Sequence, residues 1–248
     1  MQAIIMAAGR GSRLGSLTED IPKAFLEING IKLIEYNIAL LHAYGVKDII
    51  IVTGYQTERF EELVRKIDGI KCVFNPFYEM VNVLGSFYMA QEYLWDDTVY
   101  MHADTLCSPR ILEDMLTKKG DIILPIDFKS CDEEAMKVQT NNGIVTAISK
   151  NISCNESEGE FIGIAKISKN TLPALRNAAK KLMEKKQFNE YFEGAIQELI
   201  ESNKYKLTVL PTANRFWVEI DFKEDYEKAC AEIEEELLIL AREELEKA

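Results

Sequence analysis

Apolar residues along this chain recur in two rhythms. Short unbroken runs, Ile4–Ala8, Asp48–Thr53, Lys71–Phe74, Val99–Asp104 and Asp121–Ile126, read as strands buried on both faces. Between the first of them lie stretches of helical spacing. Leu33–Tyr44 has Leu33, Ile34, Ile38, Leu41 and Tyr44 on one side, with Gly45 as its stop. Thr57–Ile67 aligns Phe60, Leu63, Val64 and Ile67 in the same way. This β-α-β-α-β alternation predicts a mainly parallel sheet wound by right-handed crossovers. Asn82–Leu94 reads as a further helix containing Ser86, and Ser108, Pro109 and Gly120 mark the N-cap, first turn and stop of another.

The second half changes rhythm. Asn142-Gly143 is a hairpin signal. With those two residues as the loop, Asn141 faces Ile144, Lys137 faces Ile148 and Lys150 faces Ala135. Lys137 and Lys150 then lie diagonally on one side of the hairpin, about 7–8 Å apart. Gly159–Lys166 reads as one strand, Leu172–Lys186 and Tyr191–Ser202 as helices, and Lys206–Leu210 and Phe216–Ile220 as the last strands. From Tyr226 onward, Cys230, Ile233, Leu237, Leu240 and Ala241 share one face of an amphipathic tail helix.

Composition narrows the function classes. A chain of 248 residues with 47% apolar content can build one large α/β domain. No apolar run approaches the roughly 18 residues of a membrane span, and the first residues lack the pattern of a secretory signal. Five cysteines, an odd number without Cys-x-x-Cys spacing, suit a reducing, cytoplasmic compartment and argue against a zinc site. The net charge of −12 argues against nucleic-acid binding. Twelve acidic and four basic residues fall in positions 219–248, so the tail carries most of that charge and is too acidic to favour an anionic membrane. Its apolar face is expected to pack on its own domain, with a homodimer seam as the alternative.

Candidate chemistry begins where the first strand ends. Gly9 and Gly11 allow a sharp turn that exposes backbone N–H groups to an anion, and Arg13 and Lys23 add positive charge beside it. The loop is neither a Walker loop nor a dinucleotide fingerprint. Asp104 ends a strand, a position that points into the ligand crevice of an open α/β sheet. Lys137 and Lys150 would repel unless an anion joined them. That suggests a phosphate site, the alternative being two lysines that simply project into water.

Ala7-Ala8-Gly9-x-Gly11-x-Arg13, then Pro22-Lys23 and the run Phe25–Gly30, resembles the signature of the nucleotidyltransferases. These join a nucleoside triphosphate to a phosphorylated small molecule and release pyrophosphate. The resemblance implies a Rossmann-like α/β fold with a mixed, mostly parallel sheet flanked by helices, an acceptor-side β-hairpin and a C-terminal helix. A single domain over 1–248 is expected, with 1–125 mainly nucleotide-binding, 126–221 mainly acceptor-binding and 222–248 the tail helix. Ala7, Ala8, Gly9, Arg10, Gly11 and Arg13 would hold the triphosphate, with Asn82, Ser86 and Ala103 completing the nucleotide site. Lys23 would contact the α-phosphate. Asp104 and Asp221, the latter in a closing motif Trp217–Asp221, would bind Mg²⁺. Lys150 matches a lysine that contacts the acceptor phosphate, with Lys137 as its partner.

From position 75 onward the chain looks most like the cytidylyltransferase branch, although Val83 stands where a second Asn is common. That implies CTP as donor and a small amino-phosphoryl acceptor, 2-aminoethylphosphonate ahead of phosphocholine. Carboxylates or aromatic faces that could meet a cationic amine are Glu160, Asp127, Glu193, Tyr191 and Trp217. His102 is expected as a packed or hydrogen-bonded histidine, since an ionised phosphate acceptor needs no general base. A sugar-1-phosphate acceptor is the enzymatic alternative. A non-catalytic nucleotide sensor is the alternative of another class.

Overall fold

The first strand, β1 (Gln2–Ala7), is buried along its whole length and alternates between two cores. Ala3, Ile5 and Ala7 face one; Ile4 and Met6 face the other. The structure, a computed structural model, describes residues 1–65 and 67–247. In chain order β1 is followed by β2 (Glu27–Ile28), β3 (Ile31–Lys32), α1 (Leu33–Ala43), β4 (Asp48–Thr53), α2 (Thr57–Val64), β5 (Ile70–Phe74) and α3 (Val83–Ala90). Next come β6 (Thr98–His102), β7 (Thr105–Cys107), α4 (Pro109–Thr117), β8 (Ile122–Asp127), β9 (Lys137–Asn141), β10 (Ile144–Ser149), β11 (Gly159–Phe161) and β12 (Ile164–Ile167). The chain closes with α5 (Leu172–Glu184), α6 (Phe192–Glu201), β13 (Leu207–Pro211), β14 (Trp217–Glu219), α7 (Lys223–Glu232) and α8 (Glu235–Lys247). Lys66 and Ala248, which fall in the helix and tail expected from sequence, lie outside the described residues.

The central sheet is mixed and flanked by helices. β6, β1, β4 and β5 run parallel, as the unbroken apolar runs require. β12 is antiparallel to both β6 and β8, and β13 is parallel to β8. Beyond them the pairings run from β8 through β13, β10, β9 and β11 and back to β8. The C-terminal ends of β1 and β6 open onto one crevice. A separate two-stranded pairing, β7 with β14, sets Glu219 opposite Thr105, and the Ile220 N–H donates to the Asp104 carbonyl at 3.0 Å. That short ladder carries the end of the chain back to β6.

Three expectations change. Gly159–Lys166 is two strands, because Gly163 adopts φ +77 and turns the chain between sheet partners. The hairpin keeps Asn141 opposite Ile144, but a bulge between Val145 and Ala147 shifts the rest, so Lys137 pairs with Ser149 and not Ile148. One extra residue reverses which face a side chain takes. The tail is two helices, broken at Ile233, whose backbone is extended. α8 packs against α1 and buries Leu237 and Ala241 in the core. All five cysteines are free thiols. No helix among the described residues is long and apolar enough to cross a membrane.

Candidate active site

The loop after β1 is shaped around a lysine. Gly11 has φ +76, and a Cβ there would lie 2.8 Å from the Cβ of Lys23. Glycine therefore serves both the turn and the passage of that side chain. The Thr18 hydroxyl donates to the Gly11 carbonyl at 2.7 Å and holds the loop. Extended Pro22 leads into a short 3₁₀ turn, Lys23–Phe25, which buries Lys23. The ammonium of Lys23 then lies between two carboxylates, 2.6 Å from Asp104 Oδ2 and 2.5 Å from Asp221 Oδ1. Burial alone would lower the pKa of this lysine; Asp104 and Asp221 more than reverse that, and it is raised above the ordinary value. Burial likewise pushes the Asp104 carboxyl up, but Lys23 and then His102 hold it below the usual carboxylate range. The other oxygen, Asp104 Oδ1, is buried without a hydrogen-bond partner.

A cleft of about 430 Å³ opens from these groups. Ala8, Gly9 and Arg13 line one wall, with Asp104 and Asp221 beside them. The half-exposed Arg13 guanidinium is 3.7 Å from Asp221 Oδ2 and 3.5 Å from Glu134 Oε2, and it lies over the Phe222 ring. Lys150 stands on the opposite wall, 3.8 Å from the same Glu134 Oε2 and over the Tyr191 ring at 5.1 Å. Two cations from distant parts of the chain thus converge on one carboxylate oxygen.

Tyr78, Val81, Asn82, Val83 and Ser86 line a further side of the cleft. Asn82 caps α3, accepting from the Val83 N–H at 2.8 Å and donating to the Asn189 carbonyl at 3.2 Å. The buried Ser86 hydroxyl accepts from the Asn75 amide at 3.0 Å. At the inner end sit His102, Met136, Phe161, Tyr191, Glu193 and Glu219. His102 Nδ1 is 3.2 Å from Glu219 Oε1, and its Nε2 is 2.8 Å from the Tyr100 hydroxyl. Burial would lower the His102 pKa, but Glu219 outweighs it and raises the group to about 9. Glu193 is only 2% exposed, its Oε2 has no partner, and burial pushes its carboxyl up.

The remaining sequence candidates stand elsewhere. Ala7 and Ala103 are buried behind the loop, where the Ala103 N–H donates to the Met6 carbonyl at 3.1 Å. Arg10 turns away over the Tyr55 ring. Lys137, expected beside Lys150, is 1% exposed and donates to the carbonyls of Asp132, Glu133 and Ala135 at 3.0, 3.1 and 3.2 Å. The extra residue lies in β10, so it sets Lys150 on the other face from Lys137, and the two cannot share an anion. Asp127 and Glu160 flank Lys129, which is 2.8 Å from Glu160. Asp127 also accepts from Thr212 and from the Trp217 indole, at 2.8 and 3.0 Å. Neither acid lines the cleft. Sequence reasoning passed over Glu134 and Glu219. For Glu219 a signal existed, because it alternates with Asp221 along the same strand end; Glu134 had none.

A hard divalent cation takes oxygen ligands, and the unpartnered Asp104 Oδ1 with the nearby Asp221 fits that requirement. Ligand atoms of His102, Asp104 and Glu219 also lie within 4.8 Å of one another. His102, protonated near neutrality at a pKa of about 9, makes the poorer donor set.

The MobA-like NTP transferase domain profile matches residues 3–181. A CTP:phosphoglutamine cytidylyltransferase of Campylobacter jejuni is 28% identical over 250 residues, which cover 92% of this chain and 98% of that enzyme. A 2-aminoethylphosphonate cytidylyltransferase of Lancefieldella rimae is 36% identical over 129 residues, 52% of this chain and 49% of the enzyme. Among solved structures, the CTP:phosphocholine cytidylyltransferase of Streptococcus pneumoniae superposes with a TM-score of 0.77 at 26% identity, over 93% of this chain and 97% of that one. Nucleotidyltransferases of this kind work with divalent metal ions. The chain belongs to the MobA-like NTP transferase domain family, and it is a nucleotidyltransferase.

Proposed function

We propose that this nucleotidyltransferase moves the cytidylyl group of CTP onto a small phosphate or phosphonate acceptor bearing an amine, with release of pyrophosphate. The observation that carries the reading is the Lys23 ammonium held between Asp104 and Asp221, beside a cleft with the glycine loop on one wall and Lys150 on the other. CTP as donor is supported by the three relatives. The order 2-aminoethylphosphonate before phosphocholine follows the resemblance of the segments after position 75. On this reading residues 1–125 mainly bind the nucleotide, 126–221 mainly the acceptor, and the tail helices buttress the first part.

An ionised acceptor oxygen attacks the α-phosphorus of CTP in line. The P–O bond to the β-phosphate breaks on the far side, and its electron pair leaves with pyrophosphate. Lys23 donates to the α-phosphate oxygens as charge spreads over them, and Arg13 to the oxygens of the departing pyrophosphate. Lys150 orients the attacking group. No proton need be removed, which agrees with a His102 that is already protonated and bonded on both nitrogens. Asp104 and Asp221 would hold Mg²⁺, which when bound neutralises phosphate charge.

The test is pyrophosphate release from each of four nucleoside triphosphates against 2-aminoethylphosphonate, phosphocholine and glucose 1-phosphate. CTP with an amine-bearing acceptor should dominate. Turnover confined to glucose 1-phosphate would reject the proposal.

A further inference from the structure

We infer that the acceptor end of the cleft selects an ammonium group that keeps its own N–H bonds, a primary amine, against a quaternary trimethylammonium, and that Glu193 is the residue that makes the distinction. The inference rests on the reading just given and deepens it.

Glu193 sits in the first turn of α6 and lines the cleft, yet it is 2% exposed. Its Oε2 accepts no hydrogen bond. A buried acceptor without a donor is costly, and a ligand N–H aimed at it removes that cost. Glu219 lines the same end of the cleft, but its Oε1 already faces His102. The Glu219 side chain is also a third exposed, so water can serve its other oxygen; Glu193 is the carboxylate at that end whose unpartnered oxygen is buried. Burial also holds its carboxyl above the ordinary range, a condition that an arriving cation relieves.

A trimethylammonium has no N–H and is recognised instead by aromatic faces around it. Those faces are committed here. The Tyr191 ring lies under Lys150. The Tyr100 ring stacks on Phe192 at 3.7 Å. Trp217 lies under Lys129 and donates its indole N–H to Asp127, outside the cleft lining. Phe161 remains at that end, itself 2% exposed, while Tyr78 lines the side of Asn82 and Ser86, and one ring is no cage. A primary ammonium carries three donors and suits an end built from carboxylates. The phosphoryl group falls to Lys150, whose ammonium is 5.1 Å from the ring of Tyr191, two residues before Glu193. The two handles are close, so the acceptor is short.

The test compares matched acceptors on the wild-type protein with CTP. One pair is 2-aminoethylphosphonate and its N,N,N-trimethyl derivative; the other is phosphoethanolamine and phosphocholine. Ethylphosphonate serves as the acceptor without an amine. In each pair the primary amine should be favoured roughly 10–100-fold in kcat/KM, chiefly through KM. In Glu193→Gln the preference for 2-aminoethylphosphonate over ethylphosphonate should collapse towards unity while the melting temperature holds. Equal or better turnover of the trimethyl members overturns the inference, as does a Glu193→Gln enzyme that keeps the amine preference. Should that variant fail to fold, the wild-type pairs alone decide. If no amine-bearing acceptor reacts and glucose 1-phosphate does, the functional reading itself has failed, a result distinct from a reversed preference within the pairs.

Discussion

Replacing Lys23 with alanine should destabilise the metal-free protein and make it more responsive to Mg²⁺. The carboxylate oxygens that flank the ammonium are at most about 5 Å apart, given contacts of 2.6 and 2.5 Å. Two like charges at that distance repel by about 3 kcal/mol at an effective dielectric of about 20. Asp221 is 37% exposed, so solvent screening brings this to about 1–2 kcal/mol. The larger effect is at Asp104, which loses the main partner that keeps it ionised in a buried place; breaking such a pair costs about 3–5 kcal/mol. At the lower end, a domain of this size loses about 10 °C of melting temperature. Thermal melts of both proteins, with and without Mg²⁺ and without nucleotide, measure it. Mg²⁺ should raise the variant's melting temperature more than the wild type's, because the cation there replaces a missing charge instead of competing with one. Pyrophosphate release should fall roughly 10²–10³-fold. A variant that melts with the wild type, or a Mg²⁺ increment no greater than the wild type's, would refute the electrostatic account.

Other outcomes follow from the same geometry. Glu134 is 65% exposed and engages both Arg13 and Lys150, so Glu134→Ala should lower KM for the anionic substrates by roughly 1.5–5-fold; a raised KM would give Glu134 a supporting role instead. The His102–Glu219 pair lifts the histidine from 6.5 to about 9, so its contribution to stability is complete below pH 6.5 and is lost as pH rises through 9. Melting curves across that window should show the wild type losing its margin over Glu219→Gln, and a constant margin would deny the coupling. Leu237→Ala should cost about 2–5 kcal/mol in urea unfolding, since Leu237 is buried in the core; a loss below 1 kcal/mol would mean that α8 is only loosely docked.

The half of the fold around β1 was legible because its strands are buried on both faces and announce themselves as unbroken apolar runs. The acceptor half was less so, since its strands are short and their register depends on single residues. Counting by twos from Asn142-Gly143 cannot detect a bulge near Thr146, and that one residue parted Lys150 from Lys137. Gly163 was visible in the sequence, but apolar neighbours on both sides masked its turn. The tail shows the same limit: helical spacing continues through Ile233, where the backbone does not. In the site, the glycine loop and Lys23 were legible as a local motif. Asp104 and Asp221 were named separately, and only the fold brings them onto one ammonium. Glu134 gave no local signal, because its role arises from Arg13 and Lys150 meeting it from opposite walls.

The small pairing of β7 with β14 matters in time as well as in space. On the ribosome the glycine loop, Lys23 and Asp104 emerge early, and the strand that delivers Glu219 and Asp221 emerges more than a hundred residues later. Until β14 docks, Lys23 has one carboxylate instead of two, and His102 lacks the Glu219 carboxylate that pairs with its Nδ1. A nascent chain can therefore shape its triphosphate loop well before it can assemble the full set of charges, and competence arrives with one of the last strands to be made.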